Sequence, residues 1–143
     1  MNIVVIGGMT LTIDVVNALC GLQAHPIGLV GYSARLSYRS NYQSLKVIAE
    51  ENNIPLLETS DINRDQAAKF LSGLSIDWLI VAGWSQLLSR QVLGLAKKGA
   101  IGFHMSKLPQ GRGRAPVPWT LIKNLPAAWV TLQWLGDGAD TGD

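Results

Sequence analysis

The sequence is short of cysteine, histidine and charge. Cys20 is the one cysteine among 143 residues, so no internal disulfide can form, and this usage fits a reducing cytoplasm. The two histidines, His25 and His104, lie far from each other and from Cys20, which gives no metal-ligand spacing. No metal cofactor is expected. Charged residues make up 15% of the chain and the formal net charge is +2. No run of lysine or arginine occurs, so a phosphate-driven nucleic-acid surface is not indicated. No apolar run approaches the roughly 20 residues of a membrane span. The first six residues lack the basic flank and the apolar length of a secretory signal. The expectation is a cytoplasmic protein with neither nucleic acid nor membrane as partner.

What the chain does have is an apolar majority broken by turn chemistry. Hydrophobic residues make up 48% of it, enough for one domain with a buried sheet. Residues 2–7, Asn-Ile-Val-Val-Ile-Gly, read as a short buried strand ended by glycine. Thr10 or Thr12 caps a helix to about Leu22, with Ile13, Val16, Leu19 and Cys20 at helical spacing. The Gly-x-Gly-x-x-Gly fingerprint is missing, so a plain strand-to-helix turn is favoured over a dinucleotide loop. Residues 26–30 read as a second strand. Residues 31–41 read as a polar loop in which Arg35 and Arg39 either meet an anion or stay solvated. A helix over 42–51, a strand over 54–57 and a helix over about 64–71, capped by Ser60 or Asp61, follow. Residues 76–82 are nearly all apolar, the pattern of a central strand. Residues 90–98 read as a short helix and 99–104 as a strand. Residues 116–125 read as a helix with proline in its first turn and Pro126 past its end. Residues 128–135 alternate as a strand does.

This order gives an α/β fold: a Rossmann-like, mostly parallel twisted sheet with helices on both faces. Such sheets place ligands outside the carboxyl ends of their strands. Residues 83–89, His104 and Asp140 all follow strands, so the topology brings them to one crevice. His104 ends an apolar run and precedes a turn-rich stretch; its plain alternative is a half-buried histidine. Asp140 has Asp137 and Asp143 beside it. That spacing hints at a calcium loop, but the pattern needs about 12 residues and a closing glutamate, and the sequence lacks them. The remaining alternative is a solvated Gly/Asp turn. Lys107, Arg112 and Arg114 form the one basic cluster, either a phosphate cradle or a solvated loop.

Several of these elements fall in one order. His104-x-Ser106-Lys107-Leu108-Pro109, then Arg112-Gly113 and Pro116-x-x-Trp119, then Asp140-Thr141-Gly142-Asp143 resemble the 10-formyltetrahydrofolate-dependent formyltransferase family. Its members formylate methionyl-tRNA, glycinamide ribonucleotide or sugar nucleotides. The likeness is close over residues 76–143 and loose over the whole chain. It implies a folate-dependent formyltransferase that moves a formyl group from 10-formyltetrahydrofolate to a primary amine. By resemblance His104 is the oxyanion stabiliser or proton carrier, and Asp140 is its partner and proton acceptor. Gly83, Trp84, Ser85, Gln86, Leu87 and Leu88 resemble the loop whose backbone holds the pterin, with Ala139, Asp140 and Thr141 facing it. The plain alternative for that loop is a helix N-terminus packing Leu87 and Leu88. Ser106, Lys107, Arg112 and Arg114 are expected to meet the acceptor.

That basic cluster, on a nearly neutral chain, favours a small phosphorylated or nucleotide-linked amine. A nucleotide-linked amino sugar is the first choice, with glycinamide ribonucleotide or methionyl-tRNA as alternatives. A homodimer is allowed. The chain departs from the family at Gly102, where the catalytic asparagine belongs. Either Lys107, Gln133 or a backbone N–H replaces that donor, or the enzyme is slow. The non-enzymatic alternative is an inactive folate- or nucleotide-binding module. Family domains continue past this motif with further strands and a helix, so the single domain, 1–143, is expected to be incomplete at its C-terminus.

Overall fold

Five consecutive apolar and glycine residues, every one buried, form β1 (Ile3–Gly7) at the centre of the sheet. A computed structural model describes residues 1–38, 41–136 and 138–142. Arg39, Asp137 and Asp143, each weighed above, lie outside the described residues. The chain continues through α1 (Thr10–Gly21), β2 (Gly28–Tyr32), α2 (Lys46–Glu51), β3 (Leu56–Thr59), α3 (Asp65–Ser72), β4 (Trp78–Ala82), α4 (Arg90–Leu93), β5 (Gly99–His104), α5 (Pro116–Ile122) and β6 (Thr131–Trp134). The strands lie in the order β3-β2-β1-β4-β5-β6. All neighbours run parallel except β6, which is antiparallel to β5. This is the expected α/β, Rossmann-like architecture.

Side chains of a strand alternate between faces, and β1 shows how both faces are filled. Val4 and Ile6 join Leu71, Leu79 and Val92 in one core. Ile3 and Val5 join Val16, Leu29 and Ile48 in the other. Thus α1 and α2 cover one face, and α3 and α4 the other. Each of these side chains contributes about 1.5–3 kcal/mol by leaving water. Two cores back to back hold the sheet rigid and fix where its strand ends point.

The chain steps outward from β1 to β3, then crosses back to β4 on the other side of β1. That reversal lies between β1 and β4, where a crevice opens at the carboxyl ends. Thr12 braces it. Its buried hydroxyl accepts from the Met9 N–H at 3.1 Å and donates to the Ala82 carbonyl at 2.6 Å, tying α1 to the end of β4.

Several boundaries differ from expectation. Met9, not Thr10 or Thr12, is the N-cap of α1. The strand β2 ends two residues later than expected, with Gly31 and Tyr32 buried. Tyr42 pairs with Met9 in an isolated antiparallel bridge, so α2 begins only at Lys46. Arg64 caps α3, while the Asp61 carboxylate accepts from the Asn63 N–H at 3.0 Å in the preceding turn. The helix over 90–98 contracts to the four residues of α4.

Far from the crevice, the Asn2 N–H donates to Asp77 Oδ2 at 2.8 Å. That bond, aided by Lys98, the N-terminus and Lys97, holds the Asp77 carboxyl below its ordinary range against the desolvation that would raise it.

Candidate functional site

The strands β5 and β6 pair with Gly102 opposite Gln133 and His104 opposite Thr131. Residues two apart share a face, so these four project to one side of the sheet. His104 is 9% exposed and Gln133 4%. The turn after β6 brings Asp140 over them. His104 Nδ1 lies 3.2 Å from Asp140 Oδ1. The same oxygen accepts from Gln133 Nε2 at 3.1 Å. Asp140 Oδ2 accepts from the Gly113 N–H at 2.8 Å, and Arg112 Nε donates to the Asp140 main-chain carbonyl at 2.8 Å.

The second ring nitrogen of His104, Nε2, is 2.9 Å from the Gly111 carbonyl, which also accepts from Ser106 Oγ at 2.9 Å. Both ring nitrogens therefore face acceptors. A neutral imidazole has one N–H, so both contacts are hydrogen bonds only when the ring holds two protons. Asp140 is placed to fix the ring's orientation. The pair can hold a proton, release it and offer an N–H to a developing negative charge.

The loop after β4 leaves the same end of the sheet. Val81 pairs with Gly102, so Gly83 and His104 each lie two residues further along adjacent parallel strands. The loop is wired from outside. The Tyr32 hydroxyl donates to Ser85 Oγ at 3.0 Å and accepts from the Ser85 N–H at 2.7 Å. The Tyr32 ring stacks on Trp84 with centroids 4.1 Å apart. Gln86 bridges to the loop after β3, donating to the Ser60 carbonyl at 2.6 Å and accepting from the Ile62 N–H at 3.2 Å. Asn63 holds the Leu87 carbonyl and the Ser89 N–H. Gly83, Trp84, Ser85, Gln86, Leu87 and Leu88 thus form an irregular, braced loop rather than a helix N-terminus; the cap of α4 is Ser89. Its Trp84 Nε1 is buried without a hydrogen-bond partner among the described residues.

The four residues expected at the acceptor separate. Ser106 is buried, with its hydroxyl on the Gly111 carbonyl. The Lys107 ammonium sits 5.2 Å from the centroid of the Trp129 ring. Arg112 anchors the Asp140 carbonyl, and Arg114 is exposed. Of the candidate donors in place of asparagine, the Gln133 amide and the Gly113 backbone N–H both touch Asp140, whereas Lys107 is turned to Trp129.

Residue-type reasoning missed Tyr32, Asn63 and the Gly111 carbonyl. Tyr32 and Asn63 carried a signal, since each is a hydrogen-bonding side chain, Tyr32 at the end of β2 and Asn63 in the loop between β3 and α3. A backbone carbonyl carries none.

Gly102 is occupied from the other strand. A Cβ there falls 2.6 Å from Leu135 Cδ2 and 3.2 Å from its Cγ. Gly102→Asn is therefore expected to lower stability by about 1–3 kcal/mol, read from the urea midpoint. Leu135→Ala in the same chain recovers part of that loss. An unchanged midpoint in Gly102→Asn contradicts the close fit.

Among the described residues no group of three or more His, Cys, Asp or Glu is placed to hold a metal ion, and no helix is long and apolar enough to cross a membrane. The formyl transferase family model matches residues 1–143. A methionyl-tRNA formyltransferase from Desulfotalea psychrophila is 35% identical over 99 residues, 69% of this chain and 31% of that protein. The matched segment thus spans about a third of such curated relatives. The phosphoribosylglycinamide formyltransferase from Bacillus halodurans superposes with a TM-score of 0.82 at 16% identity, over 99% of this chain and 75% of that one. A sugar 3N-formyl transferase, crystallised in the presence of dTDP and 5-N-formyl-THF, gives 0.69 at 18%, over 99% of this chain and 48% of that one. At these identities the two structures establish a shared fold.

Proposed function

This chain belongs to the formyl transferase family, and from that premise we propose that it moves a formyl group from 10-formyltetrahydrofolate to a primary amine. The observation that carries the reading is the His104–Asp140 contact at 3.2 Å, set at the carboxyl end of β5 beside the braced loop after β4. The amine nitrogen attacks the formyl carbon, and the carbonyl oxygen becomes an oxyanion. The C–N10 bond then breaks, N10 gains a proton and the amine loses one. The products are a formamide and tetrahydrofolate. His104 Nε2–H is the donor suited to the oxyanion, which takes the place of the Gly111 carbonyl as its acceptor. Asp140 keeps the imidazolium oriented and receives the amine proton through or beside it.

The pterin belongs against the backbone of Gly83, Trp84, Ser85, Gln86, Leu87 and Leu88, faced by Ala139, Asp140 and Thr141. The bracing by Tyr32 and Asn63 supports this, since a backbone site works only when its main chain is held still. The acceptor we infer is a small amine, phosphorylated or nucleotide-linked, with an amino sugar as the first candidate. The exposed Arg114 and the remaining guanidinium edge of Arg112 are the groups that would grip its phosphate. A net charge of only +2 and no basic run support a small acceptor over tRNA. Gly102 favours one second reading, a folate-binding module without turnover.

Folate binding is tested first. At about 100 times its Kd, 5-formyltetrahydrofolate stabilises the native state by about 2.7 kcal/mol, a rise in Tm of about 5–10 °C for a chain of this size. Chemical-shift changes are expected at 83–88 and 138–142. No stabilisation, or changes confined to 7–12, contradicts the assignment.

A further inference from the structure

The amide of Gln133 touches the His104–Asp140 pair, yet neither the family motif nor the mechanism above uses it. It is 4% exposed, on β6, directly across from Gly102. Its orientation follows from its partner. A carboxylate only accepts, so the nitrogen of the amide must face Asp140 Oδ1, at 3.1 Å. The amide oxygen then points away, buried and without a hydrogen-bond partner among the described residues. An unpartnered buried carbonyl weakens a fold, and a leucine of similar size would avoid that cost. A side chain there for packing alone has no reason to be an amide.

We propose that Gln133 is a positioning residue of the His104–Asp140 pair, the carboxamide of this site placed on β6 instead of β5. Oδ1 of Asp140 lies between two groups, His104 Nδ1 at 3.2 Å and Gln133 Nε2 at 3.1 Å. Oδ2 is held by the Gly113 N–H. Gln133 therefore stops the carboxylate from rotating its near oxygen away from the ring. An asparagine at position 102 would first have to displace Leu135, whose Cδ2 lies 2.6 Å from the place of its Cβ. Among the described residues, the titratable and charged groups facing Asp140 are His104 from β5 and Arg112 from the 105–115 loop, the latter on the main-chain carbonyl. The catalytic meaning of the inference rests on the formyl-transfer reading; its geometric content does not.

The test uses the full chain and two variants, Gln133→Leu and Gln133→Glu. The readout is the downfield ring N–H proton of His104 in NMR spectra, assigned by its loss in His104→Ala. In Gln133→Leu its exchange with water is expected to speed up by about tenfold or more relative to wild type. In Gln133→Glu two carboxyl groups within hydrogen-bond distance share one proton, which raises the titration of one of them. The protonated form can donate as the amide does. That variant should match wild type at low pH and Gln133→Leu at high pH, a crossover that lost packing does not produce. Should Gln133→Leu fail to fold, Gln133→Glu carries the test alone. Wild-type protection in both variants at every pH overturns the proposal. Formyl transfer, followed in parallel, separates the two readings. If wild type transfers no formyl group but the proton responds as expected, the functional reading fails and this inference stands. If wild type transfers and the proton stays protected in the variants, this inference fails alone.

Discussion

His104→Ala is expected to lower formyl transfer by about 10²–10⁴-fold while the protein still unfolds cooperatively. The ring is nine-tenths buried at the end of β5 and touches two acceptors, Asp140 Oδ1 and the Gly111 carbonyl. On the proposed mechanism, removing it takes away the N–H offered to the oxyanion and the group that carries the proton. It does not dismantle the turn. Asp140 keeps its bonds from Gln133 and Gly113, and the Gly111 carbonyl keeps the Ser106 hydroxyl. The stability loss should stay near 1–3 kcal/mol, the cost of hydrogen bonds to a charged group. Single-turnover kinetics beside urea unfolding separate the two effects. Near-wild-type transfer in His104→Ala ends its assigned role.

Gly142→Ala is the second large effect, and it works through the backbone. A Cβ on Gly142 falls inside the van der Waals radius of the Trp134 carbonyl oxygen and 2.6 Å from its carbonyl carbon. Trp134 is the last residue of β6, paired with Ile101, so the strand cannot give way. The turn must move instead, and Asp140 moves with it, off His104. Asp140 is itself in a left-handed conformation, φ +53°, which a displaced turn has little freedom to keep. We expect transfer to fall by about 10²-fold, as for loss of an oriented catalytic group, with a loss of about 1–3 kcal/mol in stability. Full activity in this variant contradicts the view that the Asp-x-Gly spacing exists to seat Asp140.

How much of this was legible in the sequence depended on where each signal lies. The strands β1 and β4 are nearly all apolar, and burial on both faces leaves that mark in residue types alone. The end of β2 was not legible, because Gly31-Tyr32 before a serine reads as the start of a loop. It is the tertiary stack on Trp84 that buries the tyrosine. The helix over 42–51 read too long because Tyr42 is used in a bridge to Met9, a contact local propensity cannot show. The partnership of His104 and Asp140 was legible only through the family resemblance, and their common crevice through the strand ends that both follow. The groups that hold it, the Gly113 amide and the Gly111 carbonyl, were not, since backbone atoms have no residue-type signature. The Lys107–Arg112–Arg114 cluster looked like one surface from spacing, yet Trp129 and Asp140 draw two of its members apart.

The central claim is that this site transfers formyl groups rather than only binding folate. The direct measurement is incubation with 10-formyltetrahydrofolate carrying a ¹³C-labelled formyl group and a panel of amines: nucleotide-linked amino sugars, glycinamide ribonucleotide and methionyl-tRNA. Formamide carbon is read by NMR or mass. The account predicts a labelled formamide on a nucleotide-linked amino sugar with wild-type protein, and none above background with His104→Ala. Bound folate with no labelled product on any amine contradicts it.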